Sequence, residues 1–264
     1  MLRNYKLLLL IPAMLFLLSV GMILTNGINR DIDLTGGVAV TLKSGKSAQQ
    51  IAQLFSSHGF EVKEVEEIKP GIYQVVLKGE NTENLEKVSA EVMEIRKFSP
   101  VLAESVQAQM IGALIIAFAL MSVVVFLIFR SPLPSFYVLF AVAADMIEAL
   151  AFSQALGIAL SIPVISALLL LIGYSADTDI LLTTRVLKGR EGEVRERIFG
   201  ACKTGLTMSL TTLGAILPVI FISSSKTLVT IGTVLFLGIV CDVINTWFGN
   251  AVMLRWWVEK NGKG

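Results

Sequence analysis

The sequence predicts an integral membrane protein: an all-α bundle of six transmembrane helices carrying one small α+β extracytoplasmic domain. Three observations lead there. Of 264 residues, 54% are hydrophobic and 16% charged, with a mean hydropathy of +0.73, too apolar for a soluble domain with one solvated surface. Six stretches approach the roughly 20 apolar residues that a spanning helix needs. Between about residues 30 and 105 charges crowd in and the apolar runs shorten to strand and amphipathic-helix length. The 22 Lys and Arg nearly cancel the 21 Asp and Glu, so the basic excess that binds nucleic acid is missing. Cys202 and Cys241 suggest neither a disulfide framework nor a zinc site, the lone His58 removes His-based clusters, and no metal or cofactor is expected.

In chain order, the spans are expected at about Leu7–Leu24, Met110–Phe129, Ser135–Leu156, Ile162–Leu182, Leu206–Ile222 and Leu228–Leu254. The first is longer than the roughly 7–15 residues of a signal-peptide core, and Leu24-Thr25-Asn26-Gly27 is a poor cleavage site, so it is expected to remain as a helix. The organisation is then 1–29 for the first helix, 30–105 for the external domain and 106–264 for the remaining five helices, with a cytoplasmic loop at 183–205. Arg3, Lys6, Arg130, Arg185, Lys188, Arg190, Arg195, Arg197, Lys203, Arg255 and Lys260 all fall on one side of this plan. Positive loops face the cytoplasm, which places both termini there, in a plasma-membrane protein.

Within the external domain, Gly37–Leu42 and Gly71–Lys78 read as strands and Phe60–Ile68 alternates, while Ser47–Ser57 and Thr82–Ile95 have helical spacing. Ser47 caps the first helix and Asn81 or Thr82 the second, whose stripe is Leu85, Val88 and Val92. With a final strand near Phe98 the order β-α-β-β-α-β is that of a ferredoxin-like unit.

Carboxylates at bilayer depth cost roughly 2.5–3.5 kcal/mol each on insertion scales, which makes them functional candidates. Asp145 and Glu148 share a face of the third helix, Asp177 and Asp179 lie in the fourth, and Asp242 lies in the last. Asp145 and Asp177 have no cation within a helical turn and are the main candidates for ion coupling. Asp179 turns away from Asp177 and reads as a group that snorkels toward the basic loop. Arg185 serves equally well as a topological anchor or a functional cation, and Asp242, on the stripe Gly238, Asp242, Asn245, Gly249, reads as a packing group. Thr207, Thr211 and Gly214, with a kink at Pro218, read equally as a lining of the same interior or as a packing stripe.

Three motifs carry a resemblance that spans nearly the whole chain. Asp31-Ile32-Asp33-Leu34-Thr35-Gly36-Gly37-Val38 resembles a D-x-T-G-G element, with Asp33, Gly36 and Gly37 at its centre. Gly173-Tyr174-Ser175-Ala176-Asp177-Thr178-Asp179-Ile180, followed by Arg185, resembles a G-Y-S-x-N-D-T-(V/I) run ending in Arg, and Thr207–Leu213 resembles S-x-T-T-L. These are similar to the SecF branch of the SecD/SecF protein-export family, within the resistance-nodulation-division (RND) superfamily. Asp177 stands at that pattern's Asn and Ala144 where bacterial relatives carry His, departures that resemble an archaeal form.

The resemblance implies a non-enzymatic subunit that pairs with SecD, associates with the SecY translocon and helps an exported polypeptide across the bilayer on the proton-motive force. It implies ion coupling by Asp145, Asp177, Asp179 and Arg185. A half-size RND transporter of small molecules or lipids is the alternative reading. An intramembrane aspartyl protease lacks its expected G-x-G-D, and a scaffold role would leave the acids as packing groups.

Overall fold

The computed structural model describes residues 5–78, 85, 92–189, 192–223 and 225–261. The chain divides into two compact units, Arg30–Ile111 and the remainder.

The remainder is helical. A 3-10 turn at Tyr5–Leu9 leads into α1 (Leu10–Asn26). Next come α4 (Pro100–Phe129), whose residues up to Ile111 belong to the other unit, α5 (Pro132–Ala155), α6 (Ile162–Lys188) and α7 (Val194–Ile222). The last span joins α8 (Lys226–Ile244), a π-helical stretch Asn245–Asn250 and α9 (Ala251–Lys260). Each of the six is long and apolar enough to cross a membrane. Their polar ends stay helical beyond the apolar windows: α4 starts at Pro100, whose missing N–H is no loss in a first turn, and Ser99 Oγ accepts from Leu102 N at 3.3 Å. The expected loop 183–205 therefore shrinks to the few residues between Lys188 and Val194. Arg197 closes that turn, donating to the Val186 and Gly189 carbonyls at 2.8 Å each.

The helices are not equivalent. Windows of α5 and α6 are 56% buried, whereas those of α1 and α4 are 6% and that of α7 is 11%. The expected inward stripe of α7 points outward: Thr207 and Thr211 are exposed and donate to their own helix, to Lys203 O at 2.8 Å and Thr207 O at 3.0 Å. Only Ala201, Gly205 and Ser209, near the polar half, are buried after Val194. At Gly238 a Cβ would run into the Leu171 side chain, so the missing side chain lets α8 approach α6 closely.

The Arg30–Ile111 unit contains a short helix α2 (Ile32–Thr35), β1 (Gly37–Lys43), α3 (Ala48–Ser57), β2 (Val62–Lys69), β3 (Ile72–Leu77) and β4 (Val92–Phe98). All pairings are antiparallel in the order β2-β3-β1-β4, which puts β3 between β1 and β2 as the split βαβ unit requires. Val38, Val40, Leu42, Val75 and Leu77 close over Ile51 and Phe55 of α3 and over Leu85. Val62 and Val65, three apart, both reach this core because the β2 register shifts between Val62 and Glu64. The predicted helix Thr82–Ile95 is corrected at its end, where Val92–Ile95 belong to β4 and pair with β1. Its earlier residues other than Leu85, including Val88 and the proposed caps, lie outside the described residues.

Paired glycines open β1. Gly36 has φ +74°, and a Cβ there would lie 2.8 Å from Pro100 Cα; Gly37 has φ +136°, and a Cβ would lie 2.9 Å from Leu77 O. Asp31 caps α2 by accepting from Ile32 N at 2.7 Å, and Asp33 is buried.

Candidate functional site

The interior of the helical unit holds a polar cluster where α5, α6 and the last span meet. Asp145, Glu148, Asp179 and Asp242 are each 0% exposed, surrounded by Ser175, Thr178, Asn245, Thr246 and Asn250, which are at most 4% exposed. Helical spacing places Asp145 and Glu148 on one face of α5, and Ser175 and Asp179, four apart, on one face of α6. The last span supplies the donors. Its π-helical turn at Asn245–Asn250 brings adjacent residues into the cluster, where an α-helix would turn one of them aside.

Asn245 Nδ2 donates to Asp145 Oδ1 at 2.7 Å and to Glu148 Oε2 at 2.8 Å, spending both its hydrogens on two acids. Ser175 Oγ donates to Asp145 Oδ2 at 2.5 Å. Asn250 Nδ2 donates to Asp179 Oδ1 at 2.7 Å. The Thr246 hydroxyl lies 3.0 Å from Asp179 Oδ1 and 3.1 Å from Asp242 Oδ1. It has one hydrogen to give, so both contacts are hydrogen bonds only when one of the two carboxyls carries a proton and donates in return.

The ion pairs found among the described residues lie elsewhere, at Lys78–Glu61, Arg96–Glu94 and Arg255–Glu259. Four buried carboxyl groups without a neighbouring cation need compensating positive charge from outside this set, as bound protons or cations. Among the described residues no group of three or more His, Cys, Asp or Glu is arranged to hold a metal ion.

The predicted residues separate. Asp145 sits in the cluster, and Asp179 joins it rather than snorkelling away. Asp177 is exposed on another face of α6. Arg185 is also exposed and donates to Gly200 O at 2.8 Å, fastening α6 to α7. In the Gly173-Tyr174-Ser175 run, Gly173 is exposed, Tyr174 packs among apolar side chains of the bundle, and Ser175 is the residue that touches an acid. Asn245 and Asp242 were visible as one stripe. Thr246 and Asn250 carried a weaker signal: a polar hydroxyl and an amide in an otherwise apolar span.

A family model described as protein export membrane protein SecD/SecF, C-terminal, matches residues 78–260. The protein-export membrane protein SecF of Methanothermobacter thermautotrophicus is 37% identical across 98% of this chain and 94% of its own length. The SecF of Methanolacinia petrolearia is 38% identical across 96% and 94%. Among solved structures, SecDF from Thermus thermophilus, a translocon-associated membrane protein, superimposes with a TM-score of 0.84 at 23% identity over 97% of this chain. The match covers 38% of that longer chain. A heavy metal efflux pump shares the fold at a TM-score of 0.52, with 11% identity over 85% of this chain and 32% of its own.

Proposed function

The chain belongs to the SecF family of protein-export membrane proteins, and from that premise we propose that it helps move exported polypeptides across the plasma membrane as one half of a SecD–SecF assembly beside the SecY translocon. The chain corresponds in length to SecF relatives and to 38% of the SecDF chain, which fits a subunit that requires SecD to complete a double bundle. In this reading all six helices cross the plasma membrane and both termini are cytoplasmic.

The work is drawn from the proton-motive force through the buried acids. The observation that carries this is the Thr246 hydroxyl shared between Asp179 and Asp242, a set of contacts whose bonding depends on the number of protons present. Adding or removing one proton converts an acceptor into a donor, or the reverse, and so changes which partners Thr246, Asn245 and Ser175 satisfy. These partners lie on α5, α6 and the last span, so re-pairing shifts the balance between two helix arrangements. The acids that take part are Asp145 and Asp179, with Glu148 and Asp242; Asp177 and Arg185 act outside this cluster.

The test is secretion of a reporter precursor in cells whose only copy carries Asp145→Asn, Asp179→Asn or Asp177→Asn. Membrane level and SecD copurification are followed in parallel. Secretion is expected to fall to that of cells lacking the protein in the first two variants, with assembly intact, and to persist in the third. Normal secretion from both Asp145→Asn and Asp179→Asn would reduce the cluster to a packing device.

A further inference from the structure

The Tyr5–Leu9 turn and α9 meet at one level of the bundle. The Tyr5 hydroxyl donates to Glu259 Oε2 at 2.6 Å, and Arg255 Nε donates to Glu259 Oε1 at 2.7 Å while its guanidinium stacks 4.1 Å from the Tyr5 ring centroid. Glu259 is the one described carboxylate of this cluster and is felt by Arg255 and by Lys6, so three cations, Arg255, Lys6 and Lys260, face a single negative charge. The Lys6 and Lys260 ammonium groups lie 5.7 and 5.3 Å from the Trp256 ring centroid, and neither forms an ion pair within 4 Å among the described residues. Trp256 is 41% exposed, in the amphipathic setting that suits the membrane–water boundary.

Immediately inward of this cluster lies an apolar groove of about 350 Å³ between α1, α5 and the last span, lined by Leu9, Pro12, Phe16, Phe140, Ala144 and Met253. The volume falls in the range of about 300–1,000 Å³ typical of ligand sites. Groove and cluster are in register. In the 3-10 turn residues three apart eclipse, so Lys6 stands over Leu9; on α9, Met253 and Trp256 share a face by the same spacing. The inner wall is formed by Asn245 and Asn250, whose amide nitrogens are already engaged by the buried acids.

We propose that this groove and its basic mouth bind an anionic phospholipid, with an acyl chain along α1 and the phosphate between Lys6 and Lys260. Charge selects the occupant. The excess of two positive charges among Arg255, Lys6, Lys260 and Glu259 matches a phosphodiester of net negative charge, whereas a zwitterionic lipid brings its own cation and an apolar partner helix brings no anion. The lining is predominantly apolar and accepts a chain along its length.

The experiment is native mass spectrometry of the full chain, titrated with phosphatidylglycerol and with phosphatidylcholine of identical acyl chains. Phosphatidylglycerol is expected to be retained in preference. The double variant Lys6→Gln/Lys260→Gln should weaken its retention about thirtyfold, each lysine contributing about fivefold at an anionic surface. Ala13→Trp, at an exposed groove position, should displace the lipid with both lysines intact. Lys188→Gln/Lys203→Gln, which removes the same charge from α6 and α7, away from the groove, should change little. Equal retention of the two lipids, an equal loss in the Lys188/Lys203 control, or undiminished retention in both test variants would overturn the proposal. So would release of a bound protein, rather than lipid, by Ala13→Trp.

Discussion

Thr246 concentrates the logic of the site into a single hydrogen. It stands between Asp179 and Asp242 at 3.0 and 3.1 Å in an interior where every carboxyl is 0% exposed. Thr246→Val keeps the shape and removes the hydroxyl, leaving carboxyl oxygens without that partner. A buried polar atom deprived of its hydrogen bond costs about 1–3 kcal/mol, so the unfolding free energy in detergent is expected to fall by that amount and the thermal midpoint with it, while Thr246→Ser stays near the parent. An unchanged midpoint for Thr246→Val would mean that the hydroxyl carries neither acid. At this scale the sequence was half legible. That acids in apolar helices converge followed from their cost in lipid, and Asp145 is where that argument put it. Which of Asp177 and Asp179 turns inward did not follow, because both sit in the same apolar helix and the answer depends on where the last span packs. The decisive contacts are Thr246 and Asn250 to Asp179, across 67 and 71 residues of chain.

Among the elements, those set by local rules matched their sequence signals. Ser47 accepts from Gln50 N at 3.4 Å and Gln50 Oε1 accepts from Ser47 N at 3.1 Å, the reciprocal cap that starts α3. The Gly36-Gly37 turn was legible from its paired glycines, whose positive φ values are local, and the approach of the Pro100 backbone from 64 residues on adds a tertiary reason that excludes a side chain at Gly36. Gly36→Ala is expected to destabilise the external unit by about 2 kcal/mol, whereas Gly45→Ala, which meets open space, should be close to neutral. Hydrogen exchange along β1 would report both, and equal protection in the two variants would contradict the steric account. Elements decided by tertiary pairing were harder to read. Val92–Ile95 continues a helical stripe on paper, yet pairing with β1 draws these residues into the sheet with the strand expected near Phe98. The π-helical turn had no local signal, because its benefit appears only once Asn245, Thr246 and Asn250 have acids to reach.

For the whole molecule, burial is lopsided: α5 and α6 form the interior, and α1, α4 and α7 leave large apolar side chains such as Leu17, Ile115 and Phe221 exposed. Lipid or a partner's helices satisfy such faces, which is the setting expected for one half of a larger assembly. The function proposed above also fixes a direction, because protons must enter from the outside and the external unit must meet the emerging chain there. The ends of α6 provide the test. Its 27 residues separate Leu156, which is exposed just before it, from Lys188 at its basic end by about 40 Å at 1.5 Å per residue. In a Cys202→Ser/Cys241→Ala background, Leu156→Cys should react with a membrane-impermeant maleimide on intact cells, and Lys188→Cys only in inverted vesicles. In the proposed topology the Arg30–Ile111 segment follows α1 as the Leu156 turn follows α5, so the two are expected on the same side of the bilayer. The opposite labelling pattern would place Arg30–Ile111 in the cytoplasm, out of reach of a polypeptide leaving the translocon, and the export reading would fail while the fold stood unchanged.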